Sequence, residues 1–265
     1  MTAYSIPALL LPAFSGRPVI LRAADPSELR GVLEVGSPER VAFAQLTDLN
    51  ADLTPLEGWA EGLALDLVMT DPVAEHPLLY RHARMLACLP MRVSVPWVPG
   101  LARATKLAVS LGFGVRLTGH QPVPEAVAEA QQALDTFLHN PTVDQPVEPF
   151  HGMLIALVHE RPVRLWSLME RDPAEIRVLD ERGMELPDQG PACTSAFRDG
   201  LVAAGAECRG CEWLAWCEGY FKWPDTDFAC SGIRRLLGDL RAAATELRGG
   251  LDTLHEQPEI PSHER

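Results

Sequence analysis

The sequence predicts an α/β protein in which a parallel sheet, curved into a partial (β/α) barrel, is followed by a small cysteine-rich domain. Two observations predict this fold class. From about residue 19 to residue 140, short β-branched runs alternate with amphipathic, Ala/Leu-rich segments, as expected for strands joined by crossover helices. Five of the six cysteines then fall in the last third of the chain: Cys193, Cys208, Cys211, Cys217 and Cys230.

Five strands are predicted in the first part of the chain. They are Val19–Ala23, Arg40–Leu46, Leu65–Met69, Met91–Val95 and Gly114–Thr118. Two helices are expected to begin at similar start signals, Asp25–Glu28 (DPSE) and Thr54–Glu57 (TPLE), which combine a capping residue, a proline and a glutamate. The second of these helices should end near Gly62.

Three further helices are predicted near His76–Leu89, over Leu101–Leu111 with Gly112 as a stop, and from about Pro124 to His139. A complete eight-unit barrel takes about 250 residues, so a chain of 265 residues has room only for a partial barrel beside the cysteines.

The predicted domain organisation has three parts. Residues 1–140 form the partial barrel, residues 141–149 a linker, and residues 150–265 the cysteine-rich domain. The linker is predicted because the segment Asn140–Pro149 holds three prolines and shows no periodicity. Beyond it we expect a helix over Phe150–Glu160, a hairpin over Glu175–Leu186 and a final helix from Ser231 to about Arg248.

The composition excludes several classes of protein. Hydrophobic residues make up 47% of the chain and charged residues 22%, which argues against disorder. The net charge of −13 predicts no nucleic-acid partner, because phosphate binding needs clustered Lys and Arg. No apolar run approaches the roughly 20 residues that span a bilayer, and prolines interrupt the apolar segment Ile6–Phe14. We therefore expect a soluble, cytoplasmic protein with no membrane partner.

Four cysteines follow one another in the pattern C-x2-C-x5-C-x12-C, namely Cys208, Cys211, Cys217 and Cys230. Without an export signal, clustered cysteines indicate metal binding more than disulfides. Four thiolates complete the ligand set of one [4Fe–4S] cluster or of a structural zinc ion. Zinc sites usually combine C-x2-C with a second close pair, whereas here the last two cysteines come singly. This spacing favours the cluster, with zinc as the alternative.

The segment Glu207–Ser231 resembles the SPASM domain, the auxiliary-cluster domain of radical S-adenosylmethionine (radical SAM) enzymes that modify peptides and proteins. The resemblance rests on C-x2-C-x5-C, on Gly219 two residues after Cys217, and on Cys230 just before a terminal helix. It implies that one [4Fe–4S] cluster, the second auxiliary cluster of the family, is ligated by Cys208, Cys211, Cys217 and Cys230. Aromatic residues between Trp213 and Trp223 are expected to form its apolar surroundings.

Two departures from the family pattern limit what the resemblance implies. Phe221 stands where a complete SPASM motif has a further cysteine, so Cys193 is at most a remnant of the first auxiliary cluster's ligand set. The radical SAM signature C-x3-C-x2-C is absent from the whole chain. The resemblance therefore implies an accessory protein that does not cleave S-adenosylmethionine and that works with a radical SAM maturase, a precursor peptide, or both.

Two other functions remain open at this stage. One is a zinc-stapled binding module without redox function. The other is an independent enzyme at the barrel mouth, where polar or aromatic residues follow the predicted strands: Asp48, Asn50, Thr70, Asp71, Trp97 and His120. Ordinary loop composition explains these residues more simply, and no catalytic residue is assigned. Cys88, which lies in an apolar run, is expected to be a small buried hydrophobe.

Overall fold

The computed structural model of the chain describes residues 2–36, 38–58, 62–187 and 189–255. Within these residues, eight strands form one sheet in which all neighbouring strands are parallel. The strands are β1 Ala3–Pro7, β2 Val19–Ala23, β3 Val41–Leu46, β4 Leu65–Val68, β5 Met91–Pro96, β6 Gly114–Thr118, β7 Val147–Glu148 and β8 Ile176–Val178. Their order is β7-β6-β5-β4-β3-β2-β1-β8, and the sheet curves into a half-barrel. The predicted α/β class with a partial barrel is confirmed.

Ten α-helices are found in the described residues. They are α1 Pro26–Val35, α2 Pro72–Glu75, α3 Leu79–His82, α4 Leu101–Leu111, α5 Pro124–His139, α6 Phe150–Val158, α7 Leu165–Leu168, α8 Thr194–Ala203, α9 Leu214–Cys217 and α10 Ser231–His255. Several short 3-10 turns connect these helices and the strands. None of the helices in the described ranges combines the length and the apolar character needed to cross a membrane.

The five predicted strands are present as β2 to β6, with ends that differ by one residue at most. The sheet also contains three strands that were not predicted. Strand β1 lies in the apolar N-terminal segment, β7 within the predicted linker, and β8 within the predicted cysteine-rich domain. Because β7 pairs with β6 and β8 pairs with β1, the sheet extends beyond residue 140 at both of its edges.

The helix start signals had different outcomes. At Asp25 the predicted cap is present, and its carboxylate accepts a hydrogen bond from the Ser27 N–H at 2.8 Å. The prediction of a helix after Thr54 is wrong: only a 3-10 turn spans Thr54–Leu56, and Glu57 is extended. The predicted cap does not form: the Thr54 hydroxyl donates to Asp52 at 2.7 Å and accepts no hydrogen bond from the backbone N–H groups that follow it.

Other predicted elements changed in extent. The single helix predicted over residues 76–89 is instead a series of short elements: a 3-10 turn over His76–Leu78, α3, and a 3-10 turn over Ala83–Ala87. Helix α10 continues past Gly249 and Gly250 to His255, so these glycines do not stop it. The predicted hairpin over residues 175–186 is present as an antiparallel bridge between Leu179 and Glu185.

The two faces of the sheet differ in chemistry because side chains alternate along each strand. The outer face, which packs under the helices, is apolar and carries fully buried residues such as Leu21, Leu67 and Leu117. The inner face carries polar residues at the alternate positions, among them Arg22 and Arg116. The helices cover the outer face and leave a cavity on the concave side, whose lining mixes these polar side chains with apolar ones such as Ile20, Phe43 and Val68.

The start of α4 depends on Gly100, a position at which a side chain would not fit. Gly100 adopts φ +98°, and a Cβ atom there would lie 2.6 Å from Val73 Cγ2 and 3.1 Å from the Val73 nitrogen. This close approach lets Glu129 from α5 cap the helix: its carboxylate accepts hydrogen bonds from the backbone N–H groups of Gly100, at 2.8 Å, and Ala102, at 3.1 Å. Any side chain at position 100 would disturb both the cap and the packing of α2.

We expect Gly100→Ala to lower the free energy of unfolding by about 1–3 kcal/mol, because it combines a left-handed backbone with a steric clash. Gly31→Ala is the matched control, since Gly31 lies inside α1 and a Cβ atom added there would have nothing within 4 Å. That change should stabilise the protein by about 0.5–1 kcal/mol through helix propensity. Urea unfolding measures both, and equal effects of the two substitutions would contradict this account.

Candidate metal centre

The four cysteines of the predicted site line one cavity in the C-terminal part of the chain. All of them have free thiols; Cys208 is buried, and Cys211, Cys217 and Cys230 are half-buried. Cys88 and Cys193 lie outside this cavity and are exposed. The expectation that Cys88 is buried is therefore wrong: it follows the last 3-10 turn before β5 and stays at the surface. The structure thus separates the four predicted ligands from the two other cysteines.

Three elements bring the four thiols together: a 3-10 turn, the end of α9 and the start of α10. Cys208 lies in the 3-10 turn Glu207–Gly210, and its carbonyl accepts a hydrogen bond from the Cys211 N–H at 3.1 Å. Cys217 is the last residue of α9. Cys230 immediately precedes α10, where its carbonyl accepts a hydrogen bond from the Arg234 N–H at 2.8 Å. Tight turns thus connect Cys208 to Cys211, and an irregular segment after Lys222 leads to Cys230.

The turn after Cys217 directs backbone N–H groups toward its sulfur. Glu218 and Gly219 both have left-handed conformations, with φ +46° and +80°, and the N–H groups of residues 219, 220 and 221 lie near Cys217 Sγ and act to lower the pKa of its thiol. Such a concave set of N–H groups stabilises negative charge. Burial still dominates and raises the pKa of the Cys217 thiol to about 11, so metal binding here would have to release a proton.

Gly219, the glycine of the sequence motif, has a steric role in this turn. A Cβ atom at this position would lie 2.6 Å from Leu201 Cδ1 and 3.2 Å from Phe197 Cε1, both in α8. Together with the positive φ, this contact explains why the position needs glycine.

Glu218, by contrast, keeps a left-handed backbone although it has a side chain, and its contacts show why. Its carboxylate pairs with Arg164 Nε at 2.8 Å and with Arg198 Nη1 at 3.3 Å. Its carbonyl accepts a hydrogen bond from Trp166 Nε1 at 3.2 Å. These contacts fix Glu218 against two other parts of the chain, the start of α7 and helix α8.

Two cationic side chains line the same cavity. Lys222 is buried, and its Nζ pairs with Glu207 Oε1 at 2.8 Å. Arg234 pairs with the other oxygen of Glu207 at 3.1 Å. Burial raises the pKa of the Cys208 thiol, and the nearby Lys222 charge partly opposes that shift. Burial also raises the pKa of Cys230, to about 12.

The predicted aromatic surroundings are only partly present. Of the five aromatic residues between positions 213 and 223, Trp213 and Phe221 line the cavity. Tyr220 instead faces the barrel, where its hydroxyl donates to the Gly119 carbonyl at 2.9 Å. Within the described residues, no group of three or more His, Cys, Asp or Glu side chains is arranged to hold a single metal ion.

The residues predicted at the barrel mouth do not form a shared site. Asp48 and Asp71 accept hydrogen bonds from the backbone of their own turns, at Asn50 and Val73, and Thr70 donates its hydroxyl proton to Glu75 at 3.1 Å. Two aromatic members of the set pack against the cysteine segment instead. Trp97 makes an edge contact with Phe221, and His120 lies 4.4 Å from the Tyr220 ring.

A charged network on the inner face of the sheet was not among the predicted sites. Asp66, fully buried, accepts hydrogen bonds from Gln45 at 3.0 Å, Ser94 at 2.7 Å and Arg116 at 3.1 Å. Glu170, which follows α7, binds Arg92 through two hydrogen bonds of 2.6 and 2.8 Å. Glu170 also pairs with Arg116.

The signal for this network was present in the sequence. Each of the strands β2 to β6 carries a charged or amide residue inside an otherwise largely apolar run: Arg22, Gln45, Asp66, Arg92 and Arg116.

No family model, no curated protein and no solved structure matches this chain.

We expect His120 to make stability depend on pH. Burial, and then the nearby Arg171 charge, lower its pKa to about 4. Above pH 6.5 the ring is neutral in both the folded and the unfolded state. Between pH 6.5 and 4 the unfolded state binds a proton that the folded state does not, so stability falls by up to about 1.4 kcal/mol per pH unit.

His120→Phe should remove this contribution, and urea unfolding at pH 7 and pH 5 measures it. His139→Phe is the control, because the His139 side chain is exposed. A wild-type pH slope that persists in His120→Phe would contradict the assignment.

Proposed function

We propose that this chain is an accessory protein of a radical SAM peptide- or protein-maturation system and that it carries one [4Fe–4S] cluster. One observation carries the proposal: the four cysteines whose spacing resembles the SPASM motif line a single cavity, and the other two cysteines do not. A chance spacing would not require four thiols from three separate turns to reach the same cavity. The ligands of the proposed cluster are Cys208, Cys211, Cys217 and Cys230.

The donor set suits a cluster with four thiolate ligands. Each iron of a [4Fe–4S] cluster takes one thiolate, and hydrogen bonds to the sulfurs tune its potential. In the turn after Cys217, the backbone N–H groups of residues 219, 220 and 221 lie near its sulfur and act to lower the pKa of its thiol. Lys222 and Arg234 place positive charge beside the thiolates, while Trp213 and Leu237 exclude water from the cavity. When bound, the cluster supplies one-electron transfer.

The remainder of the chain supports an accessory role. In radical SAM enzymes the three cysteines of the signature normally follow the first barrel strand. Here β1 leads into the 3-10 segment Ala8–Phe14 (ALLLPAF), which has no cysteine. A chain without these ligands needs a complete radical SAM enzyme to supply the cleavage of S-adenosylmethionine. The partners proposed are therefore such a maturase, its precursor peptide, or both.

Protein expressed with ample iron and purified without oxygen should contain about four irons and four sulfides per chain. Cys217→Ala and Cys230→Ala should lose most of this iron, because each removes one thiolate of the set. The matched controls Cys88→Ala and Cys193→Ala should retain it, since both residues are exposed and lie outside the cavity. Elemental analysis and the visible absorption spectrum measure the difference. One zinc and no sulfide per chain would instead identify a zinc-stapled binding module.

The tagged protein should co-purify with the radical SAM enzyme or precursor peptide encoded beside its gene. Trp223→Ala should weaken this association, because the half-buried Trp223 ring packs on Phe197 next to the cysteine cavity. Tyr80→Ala, an exposed aromatic residue of α3, is the control. The isolated protein should form no 5′-deoxyadenosine from S-adenosylmethionine. Binding of neither partner by a cluster-loaded protein, or 5′-deoxyadenosine formation by the protein alone, would contradict the accessory role.

A further inference from the structure

The concave side of the half-barrel encloses a second cavity, of about 290 Å³. It is lined by inner-face residues of the strands and by the segments around Glu170 and Gln189. It shares no lining residue with the cysteine cavity. Its volume is close to that of pockets that bind small molecules. A ligand in this cavity would therefore bind at a site separate from that of the proposed cluster.

Positive charge predominates in this cavity. Among the described residues, three guanidinium groups line it, those of Arg22, Arg116 and Arg171, against one carboxylate, that of Glu170. Arg116 is already neutralised, because it pairs with both Asp66 and Glu170. These two carboxylates also pair with Arg92. The two arginines and two carboxylates of this network thus balance in charge. Arg22 and Arg171 are not part of it.

The contacts of these two arginines are neutral. Arg22 Nη2 donates to the Leu179 carbonyl, and Arg171 Nη1 donates to the Gln189 side-chain oxygen at 2.6 Å. In the described parts of the chain neither guanidinium forms an ion pair. The buried Nε of Arg22 has no hydrogen-bond partner among the described residues.

Burial lowers the pKa of Arg22 and of Arg171. The carboxylates that oppose this shift are Glu181 for Arg22 and Glu170 for Arg171. Glu170 is the one already shared by Arg92 and Arg116. Burying a cation without a paired anion costs free energy, which an anionic ligand would recover.

We propose that the cavity of the half-barrel binds a small oxyanion ligand, a carboxylate or a phosphate, through Arg22 and Arg171. The planar guanidinium presents paired N–H donors that match both of these anions. The Thr118 side chain on the cavity wall supplies a hydroxyl group for the rest of such a ligand. The site lies on the inner face of the sheet, where β2 and the segment after α7 approach the same space.

The test is calorimetric titration of the full-length, anaerobically purified protein with inorganic phosphate and, separately, with glutarate. We expect saturable binding of at least one probe, and comparison of the two distinguishes phosphate from carboxylate ligands. Arg22→Gln and Arg171→Gln should each weaken binding at least tenfold. Arg177→Gln should leave binding unchanged, because Arg177 lies in β8 with an exposed side chain that pairs with Glu185. Iron content is recorded for every sample, so failure of the cluster proposal is detected separately.

Arg22→Lys and Arg171→Lys provide a second set of variants if the glutamine variants do not fold. Lysine keeps the charge but loses the planar pair of donors, so binding should still weaken. Arg171→Met should raise the thermal stability of the ligand-free protein while removing binding, because it deletes a half-buried charge that has no ion-pair partner among the described residues.

Three results would overturn the proposal. The first is the absence of saturable binding of both probes. The second is equal binding by wild type, Arg22→Gln and Arg171→Gln. The third concerns Asp188, which lies outside the described residues: binding seen only in Asp188→Asn would mean that the chain's own carboxylate fills the site.

Discussion

The buried carboxylate of Asp66 is the constraint on which the inner face of this protein depends. It is fully buried on β4, and its hydrogen bonds and ion pairs reach Gln45 on β3, Arg92 and Ser94 on β5, and Arg116 on β6. One charge thus links four neighbouring strands at one level of the half-barrel. Removing one partner of a buried ion pair costs about 3–5 kcal/mol, because it leaves an uncompensated charge. The polar face is therefore held together as a network rather than by independent contacts.

The same network fixes the later part of the chain. Glu170 enters it from beyond α7 and binds Arg92 and Arg116, which places the following segment over the inner face of the sheet. A second connection runs from the loop after β6 to the cysteine segment. There Gln121 Nε2 donates to the carbonyls of Phe221 at 3.2 Å and Asp225 at 2.7 Å. The half-barrel and the cysteine cavity are consequently held against each other through short polar contacts.

The sequence allowed some of this structure to be predicted and not the rest, for physical reasons. Strands β2 to β6 were predictable because each is an apolar run bounded by cap or turn residues. Strands β7 and β8 have only two and three residues, and pairing with β6 and β1 defines them rather than any local pattern. Cysteine spacing indicated the residues that line one cavity. It did not indicate Glu170 as the partner of Arg92, because these residues are 78 positions apart and nothing local relates them.

The contacts of Glu218 restrict which residues the cysteine motif can accept at this position. In a motif of the form C-x2-C-x5-C-x-G, any residue is allowed before the glycine. In this chain that residue is Glu218, and its side chain holds the turn in place. Arg164 and Arg198 hold its carboxylate, and Trp166 holds its carbonyl. Glycine would fit the left-handed backbone more easily, but it would leave both arginines without this partner. Substitutions at position 218 should therefore be accepted in evolution only together with compensating changes at positions 164 and 198, so that these three sites covary.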